Sequence, residues 1–77
     1  MAGDLLLIIN TVRQHKGLVA CAELQRTLRL REDLGFASLD LAELTVRIEE
    51  EFGVDVFADG VVTTVGDILE RITAAPR

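Results

Sequence analysis

The chain reads as an all-α domain: a small four-helix bundle of three main helices and one short one, with a long ordered loop between the first two. Three observations point there. Apolar residues recur at helical spacing in three separate stretches. Each stretch is bracketed by residues that start or stop helices. The one alternating segment, Val54-Asp55-Val56, has no evident partner strand. At 77 residues the chain makes one domain, residues 1–77, with a modest core and a stability of only a few kcal/mol.

The first helix is predicted over Asp4 to Lys16. Asp4 can cap it, and Leu5, Ile8, Ile9 and Val12 form its apolar stripe. Arg13 and Lys16 suit its last turn, and Gly17 suits its stop. A short buried strand over residues 5–9 is the alternative, because Leu6 and Leu7 widen the apolar face; length and caps favour helix. Between Gly17 and Ala37 a wholly irregular connection would be unusually long. A short helical turn is therefore expected near Ala22–Leu28. Leu24, Leu28, Leu30, Leu34 and Phe36 are expected to pin the rest onto the core.

The second helix, Ser38 to Phe52, has the clearest signal. Ser38 suits the N-cap, and Asp40 and Glu43 lie in the first turns, where the helix dipole favours anions. Leu41, Leu44, Ile48 and Phe52 form the inward stripe, and Gly53 ends the helix. Leu39, Ala42, Glu43, Val46, Glu49 and Glu50 fall on the other arc. A purely solvated face has no need of Leu39 or Val46, so this arc reads as a contact surface. After it, an extended segment with a turn of helix around Phe57–Gly60 is expected. Thr64-Val65-Gly66-Asp67 resembles a capping box with Asp in place of Glu or Gln. It opens a last helix from Val65 to about Ala74, with Val65, Ile68, Leu69 and Ile72 inward.

Composition narrows function. An apolar fraction of 49 % suits a folded domain. Phe36, Phe52 and Phe57 are the sole aromatics, so the core must be aliphatic. A single cysteine, Cys21, excludes an internal disulfide, which fits a reducing cytoplasm. One His and one Cys make no zinc site of the usual kind. The apolar run Leu5–Ile9 is too short to span a membrane and lacks the basic flank of a secretory signal. Charge is uneven: residues 1–31 carry net +3 and residues 32–70 net −10, within a total of −5. Nucleic acid is excluded as a partner for so acidic a surface, and proteins with basic patches are favoured. Monomer is the default for such a chain.

No catalytic constellation is evident. Nothing pairs His15 with Ser38 or Cys21, and His15 reads as a solvated surface residue. Cys21 reads as a small buried hydrophobe. Glu49-Glu50-Glu51 has neither acid–base nor EF-hand spacing. Ser38, judged by itself, reads first as a helix cap. A helix N-terminus is also a good seat for a phosphate.

From Leu30 to Phe52, together with Thr64-Val65-Gly66-Asp67, the sequence resembles acyl carrier proteins. The shared features are an acidic Leu-Gly loop, a Ser-Leu modification motif, an acidic helix ending Glu-Glu-x-Phe, and a later Thr-Val-x-Asp helix start. The resemblance implies the family's four-helix fold. It implies that Ser38 receives 4′-phosphopantetheine from coenzyme A, and that the chain is a carrier of acyl or aminoacyl thioesters and not an enzyme. It implies that Leu39, Asp40, Glu43, Val46, Glu49 and Glu50 meet partner enzymes: a phosphopantetheinyl transferase, a loading ligase or transferase, and a synthase or tailoring enzymes. Three departures stand out. Ala37 replaces the usual Asp before the serine, Leu41 is bulkier than many counterparts, and the segment from Gly53 to Thr63 is short. Together they point to specialised polyketide or nonribosomal-type metabolism. Two alternatives stay open: an unmodified acidic interaction module, and a peptidyl or aryl carrier loaded by an adenylating ligase.

Overall fold

The computed structural model describes residues 2–58, 60 and 62–74. It is all-helical: α1 spans Ala2–His15, α2 Ser38–Phe52 and α3 Val65–Ala74. The helix α1 starts two residues before the predicted cap. Asp4 therefore lies inside the first turn, where its charge favours the dipole without capping it. Leu5, Ile9 and Val12 are fully buried and Ile8 packs beside them. Gly17 takes the left-handed conformation (φ 78°) that ends this region.

The core joins that stripe to Leu44, Ile48 and Phe52 of α2 and to Val65, Ile68 and Ile72 of α3. Leu41 and Leu69, predicted inward, are only partly buried but pack against the same cluster. At the end of α2, Gly53 adopts φ 71° and donates its N–H to the Glu49 carbonyl at 2.8 Å. The capping box at α3 is present: Thr64 N–H donates to the Asp67 carboxylate at 3.1 Å, and Asp67 N–H to Thr64 Oγ1 at 3.2 Å.

The predicted short helix is not formed among the described residues. Residues 22–28 make bends and a single turn, closed by the Leu28 N–H on the Gln25 carbonyl. The stretch after Gly53 likewise makes turns: the Ala58 N–H reaches the Asp55 carbonyl, and the Gly60 N–H reaches the Phe57 carbonyl at 3.4 Å. The Asp55 side chain accepts from the Phe57 N–H, an Asx turn that competes with helix for the same backbone. Asp59, which falls on the helical turn expected around Phe57–Gly60, lies outside the described residues.

What orders the long loop is a set of long-range hydrogen bonds. Asn10 makes a reciprocal pair with Cys21, donating Nδ2 to its carbonyl at 3.0 Å and accepting its N–H at 2.7 Å. The Arg13 side chain donates to the carbonyls of Val19 and Leu34. Leu30, Leu34 and Phe36 are buried, and Leu24 and Leu28 pack against the core. A short antiparallel bridge joins Arg29 to Thr64, with Leu30 N–H donating to the Thr63 carbonyl and Val65 N–H to the Leu28 carbonyl. This bridge ties the loop to the start of α3, while Val54-Asp55-Val56 makes no ladder pairing among the described residues.

Candidate functional site

Loop and α2 meet at Ser38. The loop approaches through Leu34 and Phe36, both buried, with Gly35 between them at φ 77°. Burial of the two flanking side chains fixes where the chain enters α2. Ser38 is not the N-cap. That position belongs to Ala37 (φ −87°, ψ 176°), which has no side-chain acceptor for the first-turn N–H groups. Half of a capping box survives, because Ala37 N–H donates to the Asp40 carboxylate at 2.8 Å. Ser38 is the first helical residue. Its hydroxyl is exposed and not spent on capping.

The Ser38 Oγ has one neighbour of note: Arg31 Nη2 donates to it at 3.2 Å. Both residues stand at the rim of an open groove of about 500 Å³, whose remaining lining includes Leu41, Thr45, Phe57 and Val62. The groove is mostly apolar, and it lies between α2 and the turn segment that precedes α3. Ala42, read from sequence as part of the outer arc, lines this groove instead.

The remaining outer-arc residues divide into two sets. Leu39 is 82 % exposed and Val46 55 % exposed, and Glu49 and Glu50 are exposed beside them. Asp40 and Glu43 turn toward α1. Lys16 Nζ lies 2.6 Å from Asp40 Oδ2, and His15 Nδ1 lies 3.1 Å from Glu43 Oε2. Arg47 also reaches Glu43, at 2.8 Å. Lys16, and secondarily the Ala37 N–H, hold the Asp40 carboxyl below its usual range. Arg47 does the same for Glu43, with His15 adding to it and partial burial opposing. His15 is thus a bridge to α2. Sequence reasoning missed this role, since the partners are 28 residues apart. Arg31 was missed as well. It lies seven residues before Ser38, and the intervening turn that folds it back is not a recognisable pattern.

Ser38, Arg31 and the groove form one arrangement. It can present a hydroxyl, place a cation beside it and offer an apolar groove. An anionic group ester-linked at Oγ fits these surroundings, where a guanidinium and an uncapped helix N-terminus converge.

Residues 17–72 match the family model described as a phosphopantetheine attachment site. The chain is 33 % identical over 76 residues to an acyl carrier protein from Trieres chinensis, covering 96 % of this chain and 95 % of that protein. No solved structure matches. On the family match and that relative together, the chain belongs to the acyl carrier protein family, non-enzymatic carriers whose cofactor is 4′-phosphopantetheine.

Proposed function

We propose that Ser38 is the attachment residue for the 4′-phosphopantetheine arm, and that the chain shuttles acyl or aminoacyl intermediates between enzymes of a biosynthetic pathway. The observation that carries this is the exposed Ser38 hydroxyl at the first position of α2, at the rim of an apolar groove. In the transfer from coenzyme A the Ser38 Oγ–P bond forms and the P–O bond of the pyrophosphate link breaks. Adenosine 3′,5′-bisphosphate leaves, and the hydroxyl proton passes to a base that the transferase supplies. Once attached, the arm supplies a thiol that holds the cargo as a thioester.

The chain's own residues present, shelter and advertise. Leu41, Thr45, Phe57 and Val62 offer an apolar surface beside the attachment point. Leu39 and Val46, rimmed by Glu49 and Glu50, form the proposed docking patch for a transferase, ligase or synthase with a basic face. Contacts of this size favour weak and fast docking, as suits a carrier that visits several enzymes. Asp40 and Glu43 contribute by holding α1 to α2, and so by fixing the orientation of the patch.

Specialised polyketide or nonribosomal-type metabolism is the proposed setting. Ala37 before the serine, and turns in place of a helix among the described residues between Gly53 and Thr64, support it. Efficient loading by a primary fatty-acid malonyl transferase would remove that distinction. The attachment site is tested by intact mass spectrometry after incubation with coenzyme A and a broad-specificity phosphopantetheinyl transferase. The expected result is one added arm on the wild type and none on Ser38→Ala. An arm on Ser38→Ala would move the site elsewhere. No arm on either would favour an unmodified interaction module.

A further inference from the structure

We infer that Arg31 is the counterion of the phosphodiester formed at Ser38, a positioning residue that holds the root of the arm at the rim of the groove. This rests on the reading of Ser38 as the attachment residue. Arg31 Nη2 donates to Ser38 Oγ at 3.2 Å, and that oxygen is the one that becomes the phosphate ester. Among the described residues Arg31 makes no ion pair. Its acidic neighbours in sequence do not serve it: Glu32 lies 3.6 Å from Arg29, and Asp33 lies 3.3 Å from the same guanidinium. Before modification, then, an arginine in a chain of net charge −5 spends a hydrogen bond on a neutral hydroxyl.

Attachment places a negative charge on the group bonded to the atom that Arg31 already touches. A guanidinium has five N–H donors in a planar fork that suits phosphate oxygens, and charge-assisted bonds of this kind are about twice as strong as neutral ones. Ala37 reinforces the point. It supplies no side-chain acceptor to the first turn of α2 and no carboxylate beside the serine. The phosphodiester thus meets a cation and a helix N-terminus without a neighbouring anion in residue 37. The consequence is a coupling: Arg31 should matter little to the unmodified chain and measurably to the modified one.

The test compares wild type, Arg31→Gln and Arg31→Lys, each unmodified and modified, with the arm verified on Ser38 by intact mass. Thermal midpoints and the ³¹P resonance are read at low ionic strength and in about 1 M salt, where screening is nearly complete. The unmodified proteins should melt alike. The modified wild type should melt on the order of 3 °C above modified Arg31→Gln at low salt, the shift expected of one exposed ion pair in a domain this small. The gap should close in high salt. The ³¹P resonance should move in Arg31→Gln, and Arg31→Lys should restore part of both effects. Equal melting and an unchanged ³¹P resonance, with the arm present on Ser38, would overturn the role of Arg31 and leave the attachment site standing. Failure of the wild type to take the arm on Ser38 would overturn both, and the mass spectrum separates the two cases.

Discussion

Ala37 and Gly66 show how single side chains set the two helix starts that frame the site. At α2 the N-cap is Ala37, whose backbone angles suit a cap but whose methyl group accepts nothing. Ala37→Asp would supply the missing acceptor and should stabilise the unmodified protein by about 0.5–1.5 kcal/mol. Thermal melting checks it, and an unchanged midpoint would mean that water already serves those N–H groups as well. Because the cap is Ala37, Ser38→Ala should remove the modification with little loss of stability; a cap at Ser38 would have cost about 1 kcal/mol. At α3 the constraint is space. A Cβ on Gly66 would lie 3.0 Å from the Arg26 carbonyl oxygen, the same oxygen that accepts the Gly66 N–H at 2.9 Å. Gly66→Ala gains at most about 1 kcal/mol of helix propensity. It forces loop and helix apart at about 1–3 kcal/mol, so the net should be destabilising, with a midpoint lowered by several degrees. A midpoint equal to wild type would show that the loop moves freely.

At the scale of elements, the second helix has four working faces and not two. Leu44, Ile48 and Phe52 enter the core, Leu41 and Ala42 border the groove, and Leu39, Val46, Glu49 and Glu50 face solvent. The acidic residues Asp40 and Glu43 sit toward α1, engaged by Lys16 and His15. Two variants separate docking from fold. Val46→Asp should leave thermal stability within about 0.5 kcal/mol, as surface changes usually do, while slowing transfer of the arm by the transferase several-fold. Glu43→Lys should lower the melting midpoint as well, because it removes the acceptor shared by His15 and Arg47 and sets a second cation beside Arg47. If Glu43→Lys changed transfer alone, the polar contact of Glu43 with His15 would carry no weight in the fold.

For the molecule as a whole, acid is the condition most able to loosen these connections. Backbone donors from Thr63 and Thr64 hold the Asp67 carboxyl below its usual value of 3.8. The backbone of Arg29, and then its side chain, do so for Asp33. Asp40 and Glu43 are lowered too, chiefly by Lys16 and Arg47 respectively. A carboxyl that resists protonation in the fold takes up its proton first in the unfolded chain. The stability these groups confer is complete above the ordinary carboxylate range. It is lost as pH falls through that range and then through the lower folded values. The melting midpoint should therefore be flat from neutral pH to about pH 5 and fall below about pH 4. Asp67→Asn should reduce that fall, and an identical acid limb in the variant would discount the capping box as a source of it.

Periodicity and terminal signals were enough to read the three helices, because an apolar stripe and a glycine or capping box are local properties of the chain. The stop of α1 near Gly17, the span of α2 and the Thr64–Asp67 start of α3 were all legible for that reason. The loop was legible only in its anchors: Leu30, Leu34 and Phe36 announced burial, while the bonds that shape the loop run from Asn10, Arg13 and Thr63 across the fold. The short helix expected near Ala22–Leu28 gave way to turns whose Arg26 and Leu28 carbonyls accept from the Gly66 and Val65 N–H groups across the fold, and after Gly53 the Asp55 side chain claims the Phe57 N–H. At the site, sequence pointed to Ser38 by resemblance, and to the acidic arc by composition. Which carboxylates are free, where Ala42 faces, and the approach of Arg31 to the serine are matters of which elements meet in space. They were decided by tertiary structure, since hydrogen bonds between residues 24 or 28 positions apart, or across an irregular turn of seven, leave no mark on a local pattern.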